Sequence, residues 1–185
     1  DGKGFSPAAT DVVAGDDISV LTAGHFRVTL HHAPFRLVVE QKIADAWQPW
    51  ISDRVTGGFA LTEKGQRIRH FQQRDAIDRH FGLGDKTGPL DRTGRRFRVL
   101  QLDALGYDAE IGDPLYKHVP YMVVQHGAVA GGLFYDSLAP MTFDIGSERS
   151  NYHGIYRYVE IEEKGLDLWL IAGPDVASVT RRFTC

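Results

Sequence analysis

The sequence predicts an all-β fold: a two-sheet antiparallel β-sandwich with one C-terminal helix. Three observations carry this reading. Many short segments alternate apolar and polar residues or form brief apolar runs, each bounded by Gly, Pro, Asp or Asn. They follow one another at the spacing of a sandwich or barrel, with no helical pattern between them. Helical periodicity occurs once, at the C-terminal end. A length of 185 residues with 43% hydrophobic side chains suits one domain with a sizeable core and excludes a disordered chain.

Residues 1–15, rich in Gly, Ala and Asp, read as a flexible leader, and the sandwich is expected over residues 16–185. Residues 25–30 alternate strictly, with Phe26, Val28 and Leu30 on one face. Residues 35–40 follow the turn-prone Ala33-Pro34 and complete a hairpin. Further strands are expected at residues 47–51, 59–62, 66–74, 97–102, 116–125, 132–136, 141–145, 155–161 and 166–172. Gly127-Ala128 and Lys164-Gly165 have hairpin-turn chemistry. After Gly173-Pro174, Asp175 is placed to cap a helix whose Val176, Val179 and Phe183 share a face. Arg181 and Arg182 suit its C-terminal half. Alternation assigns the core to Phe26, Val28, Leu30, Leu37, Val39, Phe97, Val99, Val123, Phe134, Phe143, Trp169 and Ile171.

Charge and cysteine content narrow the chemistry. The formal net charge is −3 and is spread along the chain, which argues against nucleic acid as a partner. The cluster Arg92, Arg95, Arg96 and Arg98 is bracketed by Asp85, Asp91 and Asp103 and reads as a charged loop with its own counter-ions. No apolar run reaches the ~20 residues of a membrane helix, so no membrane partner is expected. The single cysteine, Cys185, permits no internal disulfide and points to the cytoplasm. Histidine spacing suits no metal, and no cofactor is expected: His31 and His32 are adjacent and point to opposite faces of a strand. Residues 84–87, Gly-Asp-Lys-Thr, resemble the end of a phosphate-binding loop. Asp85 stands where that loop needs a glycine, and no helix follows. No Gly-x-Ser-x-Gly elbow is present.

Residues 81–108 stand out as a glycine-rich connection that mixes Asp and Arg with aromatic residues, and long structured loops on β scaffolds are where function tends to sit. The stretch resembles the amino-terminal domain of family 31 glycoside hydrolases, in the bacterial α-glucosidase branch. The resemblance rests on Gly82-Leu83-Gly84-Asp85-Lys86-Thr87-Gly88, Gln101-Leu102-Asp103-Ala104 and Gly106-Tyr107. It continues through Asp113-Pro114-Leu115-Tyr116-Lys117, Val119-Pro120-Tyr121, residues 132–136 and Ile171-Ala172-Gly173-Pro174. The chain departs from the family pattern twice: Asp85 replaces Glu, and Gln101-Leu102 replaces Asn-Thr.

The resemblance implies a galactose-mutarotase-like sandwich and a parent enzyme that is a retaining α-glycosidase. A catalytic (β/α)8 barrel is then expected after residue 185, so this chain alone should be inactive. The expected partners are that barrel, the α-glucoside substrate of the parent, and a second copy of the chain through the interface the barrel would cover. The family's pocket carboxylate falls on Asp103, which would accept hydrogen bonds from sugar hydroxyls. Tyr107 would offer a stacking face or a hydroxyl beside it. The competing role for Asp103 is an ion pair with Arg98 or a turn cap.

Two alternatives stay open. A free-standing aldose epimerase would need a His acid and a Glu base, for which His118, His126 and Glu160 are the candidates. A carbohydrate-binding module would need exposed aromatic platforms from Trp47, Trp50 or Trp169. A domain that only buttresses a barrel differs from the first reading by Asp103 alone.

Overall fold

The structure is a computed structural model and describes residues 10–184. Among the described residues, fourteen strands form three antiparallel sheets, so the expected sandwich is present with one sheet more than the alternation pattern implies. The first sheet is a meander of β1 (Thr10–Ala14), β2 (Ile18–Ala23), β3 (Phe26–His31), β4 (Arg36–Ile43) and β5 (Ala46–Ser52). The second has the order β6 (Phe59–Thr62), β7 (Arg67–Gln73), β13 (Tyr156–Ile161), β12 (Met141–Asp144), β9 (Arg96–Val99). The third has the order β14 (Leu168–Gly173), β11 (Val129–Tyr135), β10 (Tyr121–His126), β8 (Asp78–Gly82).

All eleven expected strands are found, and β1, β2 and β8 are added to them. The leader reading is corrected within the described residues. Thr10–Ala14 pairs residue by residue with β2, from Thr10 opposite Ala23 to Ala14 opposite Ser19, so the first sheet begins before residue 16. The rest of the expected leader, residues 1–9, lies outside the described residues. β8 escapes the pattern because its inward side chains are polar: Asp78 and His80 are buried. Lys164-Gly165 is not a hairpin turn, since β13 and β14 belong to different sheets. Gly127-Ala128 is one, joining His126 to Val129 across β10 and β11.

The main core lies between the sheets and draws Phe26, Val39, Trp50 and Ile51 from the first, Phe97, Val99, Phe143 and Val159 from the second, and Met122, Val124 and Leu133 from the third. A second cluster lies on the other side of the third sheet. There Tyr121, Val123, Ala130 and Ile171 are covered by α1 (Val176–Thr184) through Val179 and Phe183. The expected core list merges these two clusters. Val123, Phe134 and Ile171 lie under the helix and not between the sheets, because β10 and β11 are apolar on both faces and alternation cannot tell one side from the other. Leu30 and Leu37 are only half-buried.

The helix forms as its sequence predicts. Asp175 accepts the Ser178 amide at 2.7 Å, a capping bond that satisfies one of the orphan donors of the first turn. Phe183 stacks on Tyr121 with centroids 3.7 Å apart. Burial there pushes the Tyr121 phenol up to about 12. The first sheet is fastened to the third by two buried side chains that donate to its backbone: Trp50 Nε1 to the Val124 carbonyl at 3.0 Å, and Gln41 Nε2 to the Ala130 carbonyl at 2.6 Å. That close approach requires glycine at 131, where a Cβ would fall against the Trp50 ring and 2.6 Å from Gln41 Nε2.

One end of the sandwich interior is polar. His70 bridges Asp53 (2.7 Å) and the Tyr135 hydroxyl (2.9 Å), all three buried. Beside them, Arg157 donates to Gln72 Oε1 and to His80 Nε2, each at 3.1 Å, while His80 Nδ1 meets Thr93 Oγ1 at 2.8 Å. Burial first, and then the charges of Arg157 and Arg74, push the His80 imidazole down to about 2, against a weaker pull from Asp91. Between pH ~6.5 and about 2, His80 therefore stays neutral in the folded chain while the unfolded chain protonates it. A histidine so lowered adds stability that is complete above pH ~6.5 and is lost progressively as the pH falls toward 2. Urea unfolding between pH 7 and pH 4 should show stability falling with pH, and His80→Gln should flatten that slope while lowering stability at pH 7. An unchanged slope in the variant would assign the acid sensitivity to other groups.

Candidate functional site

Residues 100–120 contain no strand or helix. β9 ends at Val99 and β10 begins at Tyr121, so both adjoining strands are shorter than their apolar runs suggest. Internal bonds hold this long connection in place. Lys86, whose side chain is wholly buried, donates to Asp113 Oδ1 at 2.9 Å and to the Arg98 carbonyl. Asp113 uses its other oxygen to accept the Arg98 amide at 2.5 Å. Thr87 Oγ1 donates to the Gly112 carbonyl at 2.7 Å, and Arg92 and Arg95 both donate to the Thr87 carbonyl. Asp85, the residue that departs from the family pattern, accepts the Lys117 amide at 3.2 Å. The Gly-Asp-Lys-Thr stretch is thus a clamp between two parts of the loop, with its lysine turned inward. Gly82 opens it at φ +101°, where a Cβ would stand 2.6 Å from the Tyr121 carbonyl oxygen.

Two arginines of the cluster find counter-ions, though not the expected ones, while Arg92 and Arg95 donate to backbone carbonyls. Arg96 pairs with Asp144 (2.7 Å) and Glu148 (3.2 Å), and Arg98 with Glu162 (2.9 Å), all from other elements. Asp91 pairs with Arg79 at 3.1 Å.

Asp103 is exposed, and among the described residues its carboxylate has no hydrogen-bond or ion-pair partner. Its competing role is therefore corrected: Arg98 is engaged elsewhere, and Asp103 caps no turn. Asp103 lines two shallow depressions. One runs from Gln101 to Val119 past Tyr116 and His118, and the other is formed by residues 102–108 and 112–114. Next to Asp103, Ala104 is buried and its carbonyl accepts the Tyr116 hydroxyl at 2.6 Å, so the chain is pinned one residue beyond the free carboxylate. Tyr107 is 57% exposed and shares the second depression. Leu105 and Ile111 stand 84% and 76% exposed on the same loop, with Leu90, Leu102 and Tyr116 also exposed.

The other candidates are not brought together. His118 donates to the Ser137 carbonyl at 2.9 Å, His126 pairs with Asp78 at 2.8 Å, and Glu160 is held by Arg67 and Arg69. No epimerase-type His/Glu pair results from them. Trp50 is buried, Trp47 lies under Arg27 and Trp169 is half-buried, so none forms an exposed platform. No group of three or more potential metal-ligating side chains occurs among the described residues. No helix among them is long and apolar enough to cross a membrane.

Residues 6–144 match the family model for the glycosyl hydrolase 31 N-terminal galactose mutarotase-like domain. The chain belongs to that family. As a member of it, the chain is 28% identical over 164 residues to alpha-glucosidase 2 of Bacillus thermoamyloliquefaciens, covering 89% of the chain and 20% of that protein. It is also 28% identical over 151 residues to an alpha-glucosidase of Saccharolobus solfataricus, covering 82% of the chain and 20% of the relative. Its fold superposes on a glucose complex of the Flavobacterium johnsoniae GH31 dextranase with a TM-score of 0.75, at 25% identity over 94% of the chain and 20% of the dextranase. The α-1,4-glucan lyase of Gracilariopsis lemaneiformis shares the fold at TM-score 0.76 and 16% identity, covering 94% of the chain and 21% of the lyase. This galactose mutarotase-like domain spans about a fifth of the length of each of these proteins.

In this domain the Lys86–Asp113 pair should carry the loop. Removing one partner of a buried ion pair typically costs 3–5 kcal/mol, because the other charge is left without its counter-ion. Lys86→Met should lower unfolding stability by about 3 kcal/mol and speed amide exchange across residues 100–113, with β10 and β11 unaffected. A loss below about 1 kcal/mol with unchanged exchange would make the clamp dispensable.

Proposed function

We propose that the chain is the non-catalytic N-terminal domain of a retaining α-glycosidase, packs on the catalytic barrel of a longer protein, and contributes Asp103 to the sugar pocket. The observation that supports this most is the free carboxylate of Asp103 on a loop clamped from within. A carboxylate with both oxygens unengaged is matched to a pair of adjacent sugar hydroxyls. Exposed Leu105, Tyr107 and Ile111 form the surface that the barrel covers, and Tyr107 adds a ring or a hydroxyl beside the sugar. Without the barrel the same surface drives association between copies of the chain. The substrate is an α-glucoside, in keeping with the alpha-glucosidases it is similar to. Its compartment is the cytoplasm, a reading supported by a single cysteine with no internal partner.

The 185-residue chain should show no turnover of aryl α-glucosides above a protein-free blank. In the longer enzyme, Asp103→Ala should lower kcat/KM by about 1.5–3 kcal/mol for each charge-assisted bond lost, roughly ten- to a hundred-fold. Its melting temperature should stay close to that of the parent, since an unpartnered exposed carboxylate supports no packing. An unchanged kcat/KM with a melting temperature lowered by many degrees would make Asp103 a structural brace.

A further inference from the structure

The segment that carries Asp103 is tied down at both ends and held at one point between them. Before it, the Arg98 amide is fixed by Asp113. After it, residues 108–112 fold on themselves: Asp108 Oδ1 accepts the Glu110 and Ile111 amides at 2.7 and 3.1 Å, and the Asp108 carbonyl accepts the Gly112 amide at 2.8 Å. The Ala109 carbonyl accepts the Gly88 amide at 3.2 Å, which joins this turn to the Gly-Asp-Lys-Thr stretch. Between the two ends, residues 100–107 make a single hydrogen bond among the described residues: Tyr116 Oη donates to the Ala104 carbonyl at 2.6 Å.

Tyr116 is itself well fixed. Leu115 before it is buried, and the amide of Lys117 after it is accepted by Asp85 at 3.2 Å. Its ring is 47% exposed and lines the same depression as Asp103. Its hydroxyl is engaged by the backbone one residue beyond that carboxylate. Ala104 is buried, while Asp103 and Leu105 on either side of it are exposed. A run of residues without other hydrogen bonds keeps much of its backbone freedom, so the one bond it makes selects its conformation. A carboxylate that must accept from sugar hydroxyls has to be held in place, since misplacement by about 1 Å can cost about 10²-fold in rate.

We propose that Tyr116 is the positioning residue for Asp103: by holding the Ala104 carbonyl, its hydroxyl sets the direction in which the Asp103 carboxylate meets the sugar. This rests on the reading of Asp103 as a sugar ligand. Tyr116 acts through Asp103 and not on the reacting atoms.

The test is a double-mutant cycle in the longer enzyme, read as kcat/KM for an aryl α-glucoside. Tyr116→Phe keeps the ring and removes the donor. It should lower kcat/KM about five-fold, as expected for one neutral hydrogen bond, and leave the melting temperature unchanged. In the Asp103→Ala background the same substitution should cost less than about two-fold, because no carboxylate is left to position. In the 185-residue chain, NMR order parameters of the backbone should fall across residues 102–107 in Tyr116→Phe and hold steady across residues 108–113. A Tyr116→Phe enzyme with full kcat/KM beside an impaired Asp103→Ala would overturn the positioning role and leave Asp103 a sugar ligand. An equal loss in both backgrounds would overturn it as well, since Tyr116 would then act without Asp103. Unchanged order parameters at residues 102–107 would do the same. An unchanged kcat/KM in Asp103→Ala alone would overturn both readings together.

Discussion

The buried contact between Lys86 and Asp113 is the constraint on which the loop depends. A lysine ammonium taken out of water must be matched, and here a carboxylate and the Arg98 carbonyl match it. Asp113 also holds the Arg98 amide, so the ion pair ties residues 86, 98 and 113 together around the end of β9. The intervening chain is left to run over the surface with its position set from within. Asp103 can then remain unpartnered, because nothing in the loop needs its charge for stability. A scaffold that satisfies itself elsewhere can display a bare carboxylate, as a site awaiting a ligand requires.

The same economy explains the sandwich. β10 and β11 are buried on both faces, by the other sheets on one side and by α1 on the other. Glycines at 131 and 132 in β11 admit Trp50 from one side and Tyr121 from the other, where a Cβ would collide with each ring. Among the described residues, the polar end of the interior is tied together by linked Asp, His, Tyr and Arg side chains, with Arg157 Nη2 and Arg74 Nε buried without acceptors.

Much of this was legible in the sequence where one face of an element meets water and the other meets the core. The alternation at Phe26, Val28 and Leu30 marks β3 in its correct pairing with β4, and Asp175 marks the start of α1. Reading failed where that asymmetry is absent. Val123 and Met122 are both apolar and both buried, so only the folded chain says which faces the helix. Asp78 and His80 are polar and buried, so β8 does not read as a strand. At the loop, the family resemblance named Asp103 and Tyr107, while the residue that holds the loop, Lys86, looked like a fragment of a phosphate site. Its partner Asp113 is 27 residues away, a separation that no local pattern reports.

The central claim is that Asp103 is held out for a sugar bound by another part of a longer protein. A crystal structure of that protein with a glucose-type inhibitor in its catalytic pocket tests this most directly. The account predicts an Asp103 carboxylate oxygen within about 2.5–3.0 Å of a sugar hydroxyl, with residues 102–111 covered by the adjoining domain and the Lys86–Asp113 pair intact. A structure in which Asp103 faces solvent, with the inhibitor bound and the loop uncovered, would contradict it.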